Sequence, residues 1–292
     1  MEPLISIIIP TFKRFNLIKK AVKSISSQTF SNWEAIIIDN NSEDGTRELI
    51  KNLNDTRYKF FEIQNNGLIS KSRNYGILKS NGNYLAFLDS DDWWSPNKLS
   101  YVSELIDKKY KFIYHNHIIY KKRSIFKKSN FIPRKLSENI FEDLLINGPN
   151  FATSSVTVEK KIFIDAGGFE ESEKLISWED YDAWLKVSKK TNSFGYINKS
   201  LSTIYIGQEN YLNHSIKIKN INFFYEKYYK QLNNVMPNWC NIELTKNFYF
   251  LKEYSKALEN FSKINLNKVS FLNKIKLVLL FILIKLKFKV EK

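Results

Sequence analysis

Three short, mainly apolar runs constrain this chain most: residues 4–9 (LISIII), 33–38 (WEAIII) and 84–88 (YLAFL). Each run is brief and meets a turn or acidic signal at its end, which predicts a buried strand rather than a helix. Pro10-Thr11 closes the first, DNNSEDGT closes the second, and the third runs straight into FLDSDD. Between the strands the period changes. Leu17, Ile18, Ala21, Val22 and Ile25 recur at helical spacing, Ser42 can cap a helix holding Arg47, Leu49 and Ile50, and residues 68–80 predict another helix. Residues 58–63 (YKFFEI) add a further strand. Strands alternating with helices predict parallel pairing in a doubly wound α/β sheet, whose ligands bind beyond the C-terminal ends of the strands.

Later segments are less regular. Residues 112–120 (FIYHNHIIY) alternate like a strand, and the basic stretch 121–128 reads as a hairpin or loop. Residues 154–163 (SSVTVEKKIF) predict a strand, DAGGF a turn, and residues 178–190 a helix. From about residue 216 the pattern is helical and aromatic. The 292 residues therefore divide into an α/β part, about 1–215, with halves near 1–95 and 96–215, and a helical extension, 216–292.

A single cysteine, Cys240, excludes an internal disulfide framework and a cysteine-based zinc site. Residues 1–6 enter a strand with no basic segment before them, which argues against a secretory leader. The net charge of +15 is lopsided: residues 216–292 hold 15 lysines and 5 glutamates, a net +10. That asymmetry points to an anionic partner, nucleic acid or membrane lipid.

FLDSDD sets Asp89, Asp91 and Asp92 within four residues. In an extended strand end, Asp89 and Asp91 point the same way. Two such carboxylates suit Mg²⁺ or Mn²⁺ beside a nucleotide's phosphates. The competing reading is an acidic turn before a helix, with Asp92 and Ser95-Pro96 as the cap. His115 and His117 share a strand face without further ligand partners and are assigned no metal. Trp93, Trp94 and Trp178 read either as an aromatic wall for a sugar or as core.

Five segments in order, ISIIIPTFKR (5–14), IIIDNNSEDGT (36–46), NNGLISKSRNYG (65–76), LAFLDSDD (85–92) and WEDYD (178–182), resemble family 2 glycosyltransferases of the GT-A fold. The resemblance covers residues 4–190 and implies a mixed α/β sheet and transfer of a hexose from a UDP-sugar. It implies nucleotide-sugar contacts from Pro10, Thr11, Arg14, Asp39, Gly67, Arg73, Asp89 and Ser90, with Asp39 reading a uracil N–H. Asn40 stands where the family often has a second Asp. Asn74 and Gly76 serve local packing. Asp91, with Asp89, would hold a divalent Mn²⁺ or Mg²⁺, and His214 is a candidate late ligand. Asp180 would be the base that takes the acceptor's proton, with Glu179 orienting acceptor or sugar; in-line attack would invert the anomeric centre. Charge favouring a helix N-terminus is the plainer role for that pair.

Residues 271–290 contain eight consecutive apolar residues, 277–284, too few to span a bilayer. On a helical wheel Lys274, Lys285 and Lys289 cluster while Lys276 and Lys287 fall nearly opposite, so the helix is not cleanly amphipathic. Lysines around an apolar segment still suit a peripheral anchor on anionic lipid; a helix packed on the protein or a dimer contact fits as well. The expected setting is cytoplasmic, on the inner membrane's cytoplasmic face, with a glycan or lipid-linked glycan as acceptor. A processive polysaccharide synthase is the alternative within enzymes. A nucleic-acid-binding protein is disfavoured because the lysines concentrate in the tail and no recognised motif accompanies them.

Overall fold

The computed structural model describes residues 4–122, 124, 127–207 and 213–290. It forms two compact units, residues 1–138 with 150–210, and residues 139–149 with 211–292. The second unit therefore includes a segment from the middle of the chain, and the boundary expected at residue 215 lies at about 210. Part of that junction and of the basic stretch 121–128 falls outside the described residues.

In the first unit the chain runs β1 (Ile5–Thr11), α1 (Phe15–Ser26), β2 (Trp33–Asp39), α2 (Thr46–Lys51), β3 (Tyr58–Glu62), α3 (Ile69–Lys79) and β4 (Tyr84–Phe87). It continues through β5 (Trp93–Trp94), α4 (Lys98–Asp107), β6 (Phe112–Lys121) and β7 (Lys128–Phe131). Helix α5 (Ile140–Asn147) belongs to the second unit. The first unit resumes with β8 (Val156–Glu159), α6 (Lys160–Asp165), α7 (Glu179–Ser188) and β9 (Phe194–Ile206).

These strands form one mixed sheet in the order β3-β2-β1-β4-β8-β6-β9-β5, with β7 paired to β6. The first four are parallel; β8 runs antiparallel to β4 and β6, and β9 is parallel to β6. The mainly apolar runs follow from coverage of both sheet faces. Ile5, Ile7 and Ile9 share a core with Ile18, Val22 and Ile25 of α1 and Leu99 and Val102 of α4. On the opposite face α3 approaches so closely that a Cβ at Gly76 would lie 2.5 Å from Ile38 Cδ1 and 3.0 Å from Ile8 Cγ2. Burying each of these isoleucine side chains stabilises the sheet by about 1.5–3 kcal/mol.

Two local expectations change. Ser42 does not cap α2; Gly45 does, at φ 87°, and the Asp44 carboxylate accepts from Thr46 N and Oγ1. Residues 160–163 leave the strand and begin α6, as Lys160 N bonds to Asn83 O instead of a ladder partner. The described ends of the basic stretch, Lys121 and Lys128, lie in β6 and β7, which pair antiparallel.

The second unit contains α5, α8 (His214–Tyr228), α9 (Asn238–Phe250), α10 (Tyr254–Ser262) and α11 (Phe271–Val290). Helix α5 is fastened there by Trp239, whose Nε1 donates to Leu145 O at 3.2 Å. No described helix is long and apolar enough to cross a membrane.

Candidate active site

The chain builds outward from β1 to β2 and β3, then crosses back to β4. The strand order therefore reverses between β1 and β4, the position where open α/β sheets bind ligands. Both strands deliver charge there. Leu88 N still bonds to Ile8 O, but the next four residues form a turn closed by Asp92 N to Asp89 O at 2.9 Å. The extended geometry expected for Asp89 and Asp91 is thus replaced by a turn, and each carboxylate meets a different arginine. Asp91 Oδ2 lies 2.7 Å from Arg14 Nη1, which bridges the ends of β1 and β4. Asp89 Oδ1 lies 2.7 Å from Arg73 Nη2. Ser90 is buried within the turn.

Asp92 caps no helix; Asn97 precedes α4. Its buried carboxylate accepts from Ser154 Oγ at 2.6 Å and from Tyr205 N at 2.8 Å. Ser154 Oγ also accepts from Asp89 N at 3.0 Å, and Ser154 O accepts from Trp94 Nε1 at 2.9 Å. Trp94 is therefore core that supports the turn, while Trp93 and Trp178 are partly exposed. Burial, with Asp91 and Asp89 alongside, pushes the Asp92 carboxyl well above its ordinary range. No periodic pattern marks Ser154, and only the structure identifies it as the tie between the turn, β9 and Trp94.

Arg73 joins the two acidic motifs. From α3 its guanidinium reaches Asp89 with Nη2 and Glu179 Oε1 with Nη1, both at 2.7 Å, and its side chain is 3% exposed. Burial opposes its charge, but Asp89 and Glu179 outweigh that and raise its pKa. Arg73 Nε and Glu179 Oε2 are buried with no hydrogen-bond partner among the described residues. Such orphaned polar atoms are costly unless something completes them. Asn74 donates to Phe169 O at 2.9 Å and accepts from Phe169 N, so it fixes the loop before α7, in keeping with a packing role.

Glu179 and Asp180 open α7 after Trp178, which follows Ser177 at φ 63°. A left-handed serine is strained, and such strain collects where a site dictates the backbone. Asp180 accepts from Thr153 Oγ1 at 2.6 Å and from Tyr181 N at 2.7 Å. Burial first and Glu179 second raise its pKa to about 6, against the lowering effects of Thr153 and Arg73. A carboxylate tuned upward by burial and by Glu179 is suited to moving a proton near neutral pH.

At the other end of the site, Pro10 is buried in β1 and Thr11 stands opposite Asp39 in register. Thr11 Oγ1 is buried and lacks a hydrogen-bond partner among the described residues. Asp39 is also buried, and both its oxygens accept from Ser42, one from the amide at 2.9 Å and one from the hydroxyl. Next to it opens a polar cavity of about 510 Å³, lined by Asp39, Gly45, Thr46, Arg47, Glu48 and Glu62 among others. Asn40 Oδ1 accepts from Asn65 N, and Asn65 Oδ1 from Gly67 N, so the Asn65–Gly67 turn is anchored to β2. Gly67 adopts φ 81°, and no atom of the described residues lies within 4 Å of where a Cβ would stand, which leaves its backbone open to a ligand.

Asp89 and Asp91 are hard oxygen donors, but no group of three or more His, Cys, Asp and Glu side chains among the described residues is arranged to hold an ion. Asp89 uses Oδ1 for Arg73, its Oδ2 meets no partner among the described residues, and its side chain is 29% exposed. The pair fits an ion that takes most of its ligands from a diphosphate, not a closed protein cage. His214 opens α8 in the second unit, where its Nδ1 lies 2.7 Å from Asn247 Oδ1 and its ring stacks on Phe250. Those contacts engage its ring within that unit.

This arrangement, a parallel nucleotide-binding half with an acidic turn at the switch point and a second acidic pair on a later helix, defines a nucleotide-sugar transferase fold. Residues 6–166 match the sequence model of Glycosyl transferase family 2, and the chain belongs to that family. It is 30% identical over 191 residues to the Escherichia coli UDP-Glc:alpha-D-GlcNAc-diphosphoundecaprenol beta-1,3-glucosyltransferase WfgD, covering 65% of this chain and 71% of that protein. To the Campylobacter jejuni GalNAc(5)-diNAcBac-PP-undecaprenol beta-1,3-glucosyltransferase it is 32% identical, covering 68% of this chain and 63% of the relative. It spans only 29% of an uncharacterized glycosyltransferase of Rickettsia bellii. Among solved structures, S. aureus TarS 1-349 in complex with UDP-GlcNAc superposes with a TM-score of 0.63 at 15% identity, over 91% of this chain and 82% of that one. The Pyrobaculum calidifontis mannosyltransferase PcManGT, in complex with GDP-Man and Mn²⁺, gives 0.57 at 14% identity, over 95% and 79%. These likenesses establish the GT-A fold.

Proposed function

We propose that this glycosyltransferase is a metal-dependent, inverting hexosyltransferase that moves a sugar from UDP to a hydroxyl of a lipid-linked bacterial surface glycan. The observation that carries the reading is Arg73, whose one guanidinium clasps Asp89 of the acidic turn and Glu179 of α7. A donor motif and an acceptor motif far apart in sequence thereby become one site. The undecaprenol-linked acceptors named for the two bacterial relatives support the acceptor class, and the UDP-Glc named for WfgD supports the donor.

In this reading Asp180 accepts the proton of the acceptor hydroxyl as its oxygen bonds to the anomeric carbon. The bond from that carbon to the diphosphate oxygen breaks, and its electron pair leaves with UDP on the opposite face. Glu179, held by Arg73, orients the acceptor side, and Asp89 and Asp91 hold the donor side. Thr11, Asp39 and the open backbone at Gly67 receive the nucleoside, and Arg14 supplies a cation beside the diphosphate. A bound Mn²⁺ or Mg²⁺ would neutralise charge building on the departing diphosphate, with Asp91 and Asp89 as its protein ligands.

A panel of UDP- and GDP-sugars, with and without Mn²⁺, tests this by thermal stabilisation and by donor hydrolysis. We expect stabilisation by at least one UDP-sugar that requires the metal and is lost in Asp91→Ala. Absence of any response to UDP-sugars with Mn²⁺ would remove the reading.

A further inference from the structure

Helix α11 is apolar on two faces. One is packed: Leu277 and Ile284 are buried, Ile284 joins Tyr254 and Ala257 of α10, and Phe281 stacks on Phe261 with ring centroids 4.6 Å apart. The other carries Leu272, Ile275, Leu279, Ile282, Leu283 and Leu286, recurring at three- and four-residue steps and each 44–70% exposed. At 3.6 residues per turn, Lys274 and Lys285 run along one border of this second stripe and Lys276 and Lys287 along the other. The lysines that fall nearly opposite on the wheel are thus the two rims of one broad apolar face. Lys289 closes it in the last turn, and α11 has no acidic residue.

Single exposed leucines are ordinary, but a continuous stripe of them is an interaction surface. Its rims decide what covers it. Lysine stems can lie along the apolar face while the ammonium groups reach anionic headgroups, the arrangement of a helix lying in a membrane interface. A second copy of the chain, packed face to face, would set lysine rims against lysine rims. Crossing the bilayer is not an option for a helix of this length and charge. We infer that this face of α11 docks on an anionic phospholipid bilayer, with the helix axis in the plane of the surface. The inference stands apart from the catalytic reading, since no residue of the acidic motifs enters it.

The test is co-sedimentation of the full chain with vesicles of phosphatidylcholine alone or mixed with phosphatidylglycerol. We expect binding to the mixed vesicles, weak binding to the neutral ones, and a loss of about fivefold in partitioning for each of Lys285→Gln and Lys287→Gln. The double variant Leu279→Glu/Leu283→Glu should abolish binding. Both positions are exposed, so its circular dichroism and unfolding midpoint should match those of the parent. Failure of the parent to sediment with mixed vesicles, or binding indifferent to the lysines, would overturn the inference. So would a dimer, seen by light scattering, that the double variant dissolves while vesicle binding is absent throughout.

Discussion

Arg73 is the residue on which the two halves of the site depend. Removing one partner of a buried ion pair costs more than the pair itself contributes, because the remaining charge loses its compensation. Arg73→Ala strands Glu179, so we expect a loss of about 3–5 kcal/mol in stability, read as a lower urea midpoint. Arg73→Lys should recover part of the stability but little turnover, because a single ammonium cannot span two carboxylates as a fork does. An unchanged midpoint in Arg73→Ala would show that the bridge does not hold the motifs together. Asp180 has its own pH signature. Its folded pKa is raised to about 6, so the carboxylate holds its proton more tightly in the folded protein than in the unfolded chain. Its contribution to stability is therefore complete below the unfolded value and is lost as pH rises through about 6. Catalysis by the ionised form runs the other way: kcat/KM should fall as pH drops through the same region, and a flat profile there would argue against Asp180 as the base.

Among the elements, α3 carries both Arg73, which holds Glu179 in the proposed reaction, and a close helix–sheet contact at Gly76. Gly76 sits where any Cβ would strike Ile38 and Ile8, so Gly76→Ala should destabilise the fold by about 1–3 kcal/mol through overpacking. It should also displace Arg73, one turn earlier, and lower turnover; an alanine variant with wild-type stability would mean that α3 can back away from the sheet. The elements also show what sequence can and cannot convey. β1, β2 and β4 are legible because each signal is local, an apolar run that meets Pro10-Thr11, Asp39 or the acidic run after Leu88; the turn made by residues 89–92 is not. The two-residue β5 and the membership of α5 are not, because they depend on partners far along the chain: Trp94 beside Ser202, and Leu145 beneath Trp239. Asp92 is visible as a charge but its place is not, since its partners Ser154 and Tyr205 lie more than sixty residues away.

At the scale of the whole molecule, the proposed reaction unites an acidic donor motif and an acidic acceptor motif, while α11 carries the face inferred to meet lipid. The two properties are separable by experiment: Leu279→Glu/Leu283→Glu should keep transfer to a short soluble acceptor while losing vesicles. The lysine excess of the last part of the chain, read from sequence as an anionic partner, becomes specific once α11 shows which lysines border its exposed stripe. The most direct test of the catalytic reading is Asp180→Asn, measured for UDP-sugar binding by calorimetry and for transfer to a diphospholipid-linked acceptor. We expect donor binding within about twofold of the parent, since Asp180 touches Thr153 and Tyr181 and not the donor motif, with transfer reduced by about a hundredfold or more. An Asp180→Asn enzyme that transfers at the parent's rate would contradict it.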